Sequence, residues 1–376
     1  MLRGHRIIFF SLTEWSALPV SHMFLSLLLQ EHNEVLYVET TGNRLPRLTE
    51  VPRIWRRLAR AAGGRRGSVS GHLSSGGLSV SSPLILPAQG LPGMPGLNRL
   101  LMRRFCRKLR REGFDRAVAW VFAPRWVDAL EELRPRLVIC QSPDELTTYR
   151  GLDTPDAAAQ IDRLHRRADL VFIPGPALFE RRRCLNPATF HIPNAADPAL
   201  IERVQDPGTA EAIELAGVPR PRLTYVGSLA PWVNFELLEH LATARPGWSL
   251  VLVGPRPAVT PARTLRRLQR HANVHVLGEQ PYGRLPEFYR ASDVLLLPFL
   301  TNRNRLYSDP TKIYEYLATG LPIVSTDIPS ARVWGDLIRR VDDALPPFVA
   351  ACDEAVHESA SDPLREMRRR TGAEQT

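Results

Sequence analysis

The chain has 376 residues, 44% apolar and 23% charged, which is ordinary for a soluble globular protein and long enough for two domains with full cores. Its four cysteines, Cys106, Cys140, Cys184 and Cys352, form no CxxC pair; this argues against a zinc site and a disulfide framework and makes a reducing cytoplasm the expected compartment. The net charge of +10 belongs to one region: residues 51–111 hold 13 basic and no acidic side chains, and the remainder carries 36 basic against 39 acidic.

In chain order, "MLRGHRIIFFSL" opens with a basic start and an apolar run that Thr13, Glu14 and Trp15 break. It reads as a first strand over Arg6–Leu12 rather than a leader, and no run approaches the ~18 apolar residues of a spanning helix. Further strands are predicted over Glu34–Glu39, Leu78–Leu86, Ala117–Phe122, Leu137–Gln141, Leu170–Ile173 and Thr189–Ile192. Helices over His22–His32, Trp126–Leu133 and Asp156–Ala168 lie between them. The second half repeats the rhythm in "RLTYVG", "SLVLVG", "NVHVLG", "DVLLLPF" and "PIVST". Two alternating series predict an α/β protein of two doubly wound, Rossmann-like domains with parallel sheets. The expected division is 1–195, 196–360 and a polar tail, 361–376, that frays.

The stretch "SDPTKIYEYLATGLPIVST", residues 308–326, contains one of only two lysines; 47 of the 49 basic residues are arginine. Asp309 is predicted as the N-cap of a helix over 310–319, with Pro310 at its first position and Gly320 ending it. Lys312 then lies in the first turn and Glu315 one turn on, on the same side. A helix N-terminus attracts anions, and lysine there favours a bound phosphate, with Glu315 placed for a ribose diol. A solvated Lys–Glu pair explains the same spacing.

The wording of this stretch resembles the donor-binding segment of GT-B glycosyltransferases, in the large group related to bacterial polysaccharide and lipid-linked sugar transferases. The likeness extends through "LTYVGSLAPWVNFELLEHLATARPGWSLVLVGP", "NVHVLGEQPYGRLPEFYRASDVLLLPF", "ADLVFIPGPALFERR" and "FHIPNAAD". It implies two Rossmann-like domains facing across a cleft, an acceptor-side domain followed by a nucleotide-sugar donor domain. It implies that Glu315 holds the ribose, that Lys312 and the backbone around Asp309 and Thr311 face the diphosphate, and that Gly227 and Ser228 form the glycine turn beside the phosphates. Gln280 and Pro281 fall where the base packs, and Arg303 and Arg305 in the preceding loop are helpers. Two departures stand out. Tyr307 replaces the first glutamate of the E-x7-E pair, and Ser228 and Val233 stand where an Arg and a Lys usually follow the glycine turn.

No D-x-D occurs and no GxGxxG follows a strand, which argues against a metal-dependent GT-A transferase and a dinucleotide oxidoreductase. The expectation is a metal-independent, retaining transferase without a cofactor, acting on a polysaccharide precursor or glycolipid. Asp144, after a strand, is the candidate catalytic carboxylate; Glu14 and His22 are acceptor-side candidates. Caps, turns and surface positions explain these three equally well. Two basic amphipathic stretches, "VPRIWRRLARAA" and "LNRLLMRRFCRKLRR", suit an anionic membrane surface. In the second, Leu97, Leu101, Phe105 and Leu109 align. No nucleic-acid module is present, so a peripheral position at the inner face of the membrane is expected. Two alternatives are a degenerate GT-B protein that binds nucleotide sugar or membrane without catalysis, and a GT-B sugar-nucleotide epimerase.

Overall fold

The structure is a computed structural model that describes residues 2–15, 21–39, 77–85, 93–149, 152–302 and 306–376. It divides into two compact units, Met1–Pro174 with Leu178–Ile192, and Gly175–Ala177 with Pro193–Thr376.

The first unit holds strands β1 (Arg6–Phe10), β2 (Glu34–Val38), β3 (Leu78–Ser81), β4 (Val118–Val121), β5 (Leu137–Gln141), β6 (Leu170–Ile173) and β7 (Thr189–His191). They form one parallel sheet in the order β3-β2-β1-β4-β5-β6-β7. The second unit holds β8 (Arg222–Val226), β9 (Ser249–Val253), β10 (Val274–Gly278), β11 (Val294–Leu297), β12 (Ile323–Thr326) and β13 (Arg339–Val341), in the order β10-β9-β8-β11-β12-β13, again parallel.

The central strands are unbroken apolar runs because both faces are covered: Ile7, Ile8, Phe9 and Phe10 are all buried, as are Val294 to Leu297. The strand predicted over 78–86 stops at Ser81, ahead of Pro83, which has no N–H for the ladder. The helix predicted over 126–133 is a 3-10 turn, Pro124–Trp126, followed by a single helical turn, Leu130–Leu133. β13 was not expected, since "RRV" at a sheet edge has no apolar pattern.

The stretch after residue 360, expected to fray, is a helix, Pro363–Ala373, started by Asp362, whose Oδ1 accepts from Leu364 N at 2.8 Å. Its anchor is polar. Arg368, with no exposed surface, donates to Glu358 at 2.6 and 2.9 Å and to the Leu337 carbonyl at 2.7 Å. Arg339 adds a bond to the same carboxylate at 2.7 Å. Burial works to raise the Glu358 pKa, but Arg368 and Arg339 hold it below the usual carboxylate range. Gly372 crosses the helix Lys312–Thr319 so closely that a Cβ would stand 2.2 Å from Ala318 N.

In the basic region, residues 51–76, including the first amphipathic stretch, lie outside the described residues. The second stretch is in the helix Met94–Leu109. Its buried stripe is Asn98, Met102, Cys106 and Leu109, displaced from the Leu97–Leu101–Phe105 alignment expected. Several of its cations serve the fold: Arg99 pairs with Asp128 at 3.4 Å, Arg107 with Glu132 at 3.5 Å and Lys108 with Glu112 at 3.7 Å. Leu97 and Leu100 are 42% and 51% exposed, on the same outer side as the exposed Arg104.

Candidate functional site

Strand order creates one crevice in each sheet. In the second unit the chain leaves β8 toward β9 and β10, then returns to β11 on the other flank. The carboxyl ends of β8 and β11 therefore border a topological switch point, where open parallel sheets collect ligands. β8 runs out into Gly227 and Ser228, and the segment after β11 leads into the helix Lys312–Thr319. The candidate residues of both segments meet there.

Gly227 has φ 149°, and Gly254 at the end of β9 has φ 140°. A Cβ on Gly254 would stand 2.1 Å from the Gly227 carbonyl oxygen, so the two strand tips approach backbone to backbone. On its other side Gly227 is covered by Lys312. A Cβ there would fall 1.8 Å from Lys312 Cε and 2.5 Å from Nζ. The ammonium lies 5.9 Å from the centroid of the Tyr225 ring, a geometry that supports a cation. The lysine stem thus lies along bare backbone, a space that a planar guanidinium does not fit as well.

The helix begins at Lys312, with Thr311 in the capping position and no side-chain cap. The Thr311 N–H has no partner among the described residues. The expected capping role of Asp309 is corrected by the structure. Its Oδ2 accepts from Asn194 N at 2.8 Å and from the Tyr314 hydroxyl at 2.7 Å. Through those bonds Asp309 ties the approach to the helix to Asn194 and to Tyr314 within it.

Glu315 is 7% exposed. Its Oε2 accepts from the Tyr289 hydroxyl at 2.5 Å, and Oε1 has no bond among the described residues. Burial raises its pKa, opposed by the Tyr289 bond and by the charge of Lys312. A solvated surface pair does not describe this glutamate: it is a buried carboxylate with one oxygen left to accept. Tyr316 ties the same helix to β8, its hydroxyl accepting from Val226 N at 2.9 Å. Tyr289 and Tyr316 were not anticipated; the aromatic spelling "YEY" is the sole trace of the second.

Gln280 and Pro281 follow β10, with the Gln280 amide donating to the Leu277 carbonyl at 3.1 Å. The Ser228 carbonyl accepts from the Tyr225 hydroxyl at 3.0 Å. Tyr307 is half-buried, and Arg303 and Arg305 lie outside the described residues.

In the first unit, Glu14 lies on the loop after β1 and Asp144 on the loop after β5. Asp144 Oδ2 accepts from the Tyr149 hydroxyl at 2.6 Å. His22 is buried with Nε2 2.9 Å from Ser11 Oγ and 3.0 Å from Thr13 Oγ1. Burial pulls its pKa down to about 4, so the imidazole is neutral near pH 7. Tyr37 joins the hydroxyl network at 2.6 Å from Ser11 Oγ, and burial pushes its pKa up to about 12. Next to Asp144, Glu145 is wholly internal and forked by Arg182 at 3.0 and 3.1 Å.

Residues 220–361 match the family model described as glycosyl transferases group 1. This segment is similar to the group 1 glycosyl transferases. Every donor-side candidate named above lies within it. A curated relative, the putative teichuronic acid biosynthesis glycosyltransferase TuaH of Bacillus subtilis, is 26% identical over 150 residues, or 39% of this chain. The match spans 38% of that relative's length. Among solved structures, Anabaena HepE in complex with UDP and glucose covers 99% of this chain and 95% of its own, at 14% identity and a TM-score of 0.66. Sucrose-phosphate synthase of Thermosynechococcus elongatus covers 99% and 94%, at 12% identity and a TM-score of 0.67. The matched segment and the unit before it thus share the two-domain Rossmann-like fold of these structures.

Proposed function

We propose that the chain is a glycosyltransferase that moves a sugar from a nucleoside diphosphate sugar to a polysaccharide precursor or glycolipid. The observation that carries this is Lys312 lying over Gly227 at the β8–β11 switch point, with the half-satisfied carboxylate of Glu315 one helical turn away. The ammonium and the Thr311 N–H meet the charge that gathers on the diphosphate as its bond to the sugar breaks, an electrostatic task. Glu315 Oε1 accepts a ribose hydroxyl. HepE, solved with UDP and with UDP-glucose, and TuaH, by its name a teichuronic acid enzyme, support a uridine donor and a polysaccharide product. The resemblance implies retention of configuration without a bound metal. Asp144 is proposed as the acceptor-side carboxylate, with Glu14 and His22 on the loop and helix after β1.

A binder without catalysis is favoured by Tyr307 in the place of the first glutamate. Release of UDP from UDP-glucose, with calorimetry on UDP alongside, separates the two. Glu315→Gln is expected to weaken UDP binding by about 1 kcal/mol or more, because a charge-assisted bond becomes a neutral one, and to lower turnover further through lost positioning. A variant with wild-type values for both would remove Glu315 from the site.

Exposed Leu97 and Leu100 beside Arg104 favour docking on an anionic lipid surface. Sedimentation with anionic vesicles should show binding that salt weakens; equal sedimentation with neutral vesicles would count against it.

A further inference from the structure

The described residues include four buried arginines, Arg125, Arg182, Arg222 and Arg368. Three have carboxylates: Arg182 is bonded to Glu145 and Asp162, Arg222 to Glu211, and Arg368 to Glu358. Arg125 has none. It is 5% exposed, with no hydrogen bond or ion pair among the described residues, and its Nη1 is fully enclosed without a partner. A buried, unpaired cation is among the least favourable arrangements a fold can hold.

Its position explains why the fold retains it. Arg125 stands in the 3-10 turn Pro124–Trp126, directly after β4. The sheet order reverses between β1 and β4, so this turn borders the switch point of the first unit. The turn is held firmly: Ala123 N donates to the Phe10 carbonyl at 3.2 Å, and the Trp126 ring lies 4.6 Å from that of Phe10. The loops after β1 and β5, which carry Glu14 and Asp144, follow the two strands that flank β4. β4 is the fourth strand of its sheet in chain order, as β11 is of the other. Arg125 is therefore the topological counterpart of Lys312, each a basic residue carried by the segment that follows the fourth strand of its sheet.

We infer that Arg125 is the receptor for an oxyanion, a phosphate or carboxylate carried by the glycosyl acceptor, which supplies the counter-charge that the described residues do not. The inference rests on the transferase reading for the identity of the ligand as acceptor, but not for the anion site itself. Burial alone lowers the Arg125 pKa to about 10, so the side chain is cationic at neutral pH whether or not an anion is bound. Arginine suits this task, since its fork matches phosphate and carboxylate in two-point contact.

The test is thermal unfolding of the full chain at fixed ionic strength, with UDP in excess, titrated with inorganic pyrophosphate in one arm and glucuronate in the other. Wild type should show a saturable rise in melting temperature with at least one of them; which one identifies the oxyanion. Arg125→Met should abolish the rise, and Arg125→Lys should weaken apparent affinity about tenfold, as for the loss of one charge-assisted bond. Without anion, Arg125→Met should melt about 2–4 °C above wild type, because an uncompensated buried charge is gone. No response of wild type to either anion, or an equal response in Arg125→Met, would overturn the inference. If Arg125→Met does not fold, Arg125→Lys and Arg125→Gln read the same difference. UDP affinity, measured separately on the same samples, reports on the donor assignment. Because any donor-site contribution is common to wild type and variant, failure of that assignment leaves the Arg125 comparison intact.

Discussion

Lys312→Ala is expected to weaken UDP binding by roughly 1.5–3 kcal/mol, the range of a hydrogen bond to a charged group, with little change in melting temperature. Lys312→Arg should not restore affinity. The ammonium reaches its place by lying along Gly227, where a Cβ would already fall 1.8 Å from Lys312 Cε, and a guanidinium presents a wider, planar head. Gly227→Ala approaches the same contact from the other side. The added methyl must push the lysine away, on a backbone whose φ of 149° resists a side chain. It should lose at least as much affinity as Lys312→Ala and also lose stability. Calorimetry on the three variants checks this; wild-type affinity in Lys312→Arg would mean that charge alone matters and the close fit does not.

The second large effect is expected at the far end of the chain. Gly372→Val places a side chain 2.2 Å from Ala318 N and 2.4 Å from its Cα, where neither partner is a flexible tip that can move aside. The helix Pro363–Ala373 then cannot seat, and Arg368 withdraws from Glu358. Breaking a buried pair of this kind costs about 3–5 kcal/mol. Urea unfolding should show that loss, and UDP affinity should fall with it, because Ala318 belongs to the helix that carries Lys312 and Glu315. An unchanged urea midpoint would show that the crossing tolerates a larger separation.

The parallel sheets were legible because strands covered on both faces must be apolar throughout, and "RIIFF" and "DVLLLPF" have few other uses. The nearness of Lys312 to the helix start was legible from local spacing, although the helix begins at Lys312 with Thr311 as its cap residue, whereas Gly227 entered only through the resemblance. What escaped the sequence is polar and long-range. The C-terminal helix has no apolar stripe to betray it, since its fixed points are Arg368 and Gly372. Tyr289 reaches Glu315 across 26 positions without any local signal. Arg125 is one arginine among 47, and only its surroundings distinguish it, because burial without a carboxylate among the described residues is a property of packing.

The near-absence of lysine has a practical side. Besides the α-amino group, amine-directed chemistry on this chain meets two side chains, Lys108 and Lys312. Lys108 is well exposed on the helix Met94–Leu109, and Lys312 lies over the glycine turn. Coupling the protein to a sensor surface through its amines would therefore tether some molecules by the residue assigned to the diphosphate and some by the helix assigned to lipid. Either linkage would silence an assay of the surface it consumed. Attachment through the exposed thiol of Cys184 leaves both lysines untouched.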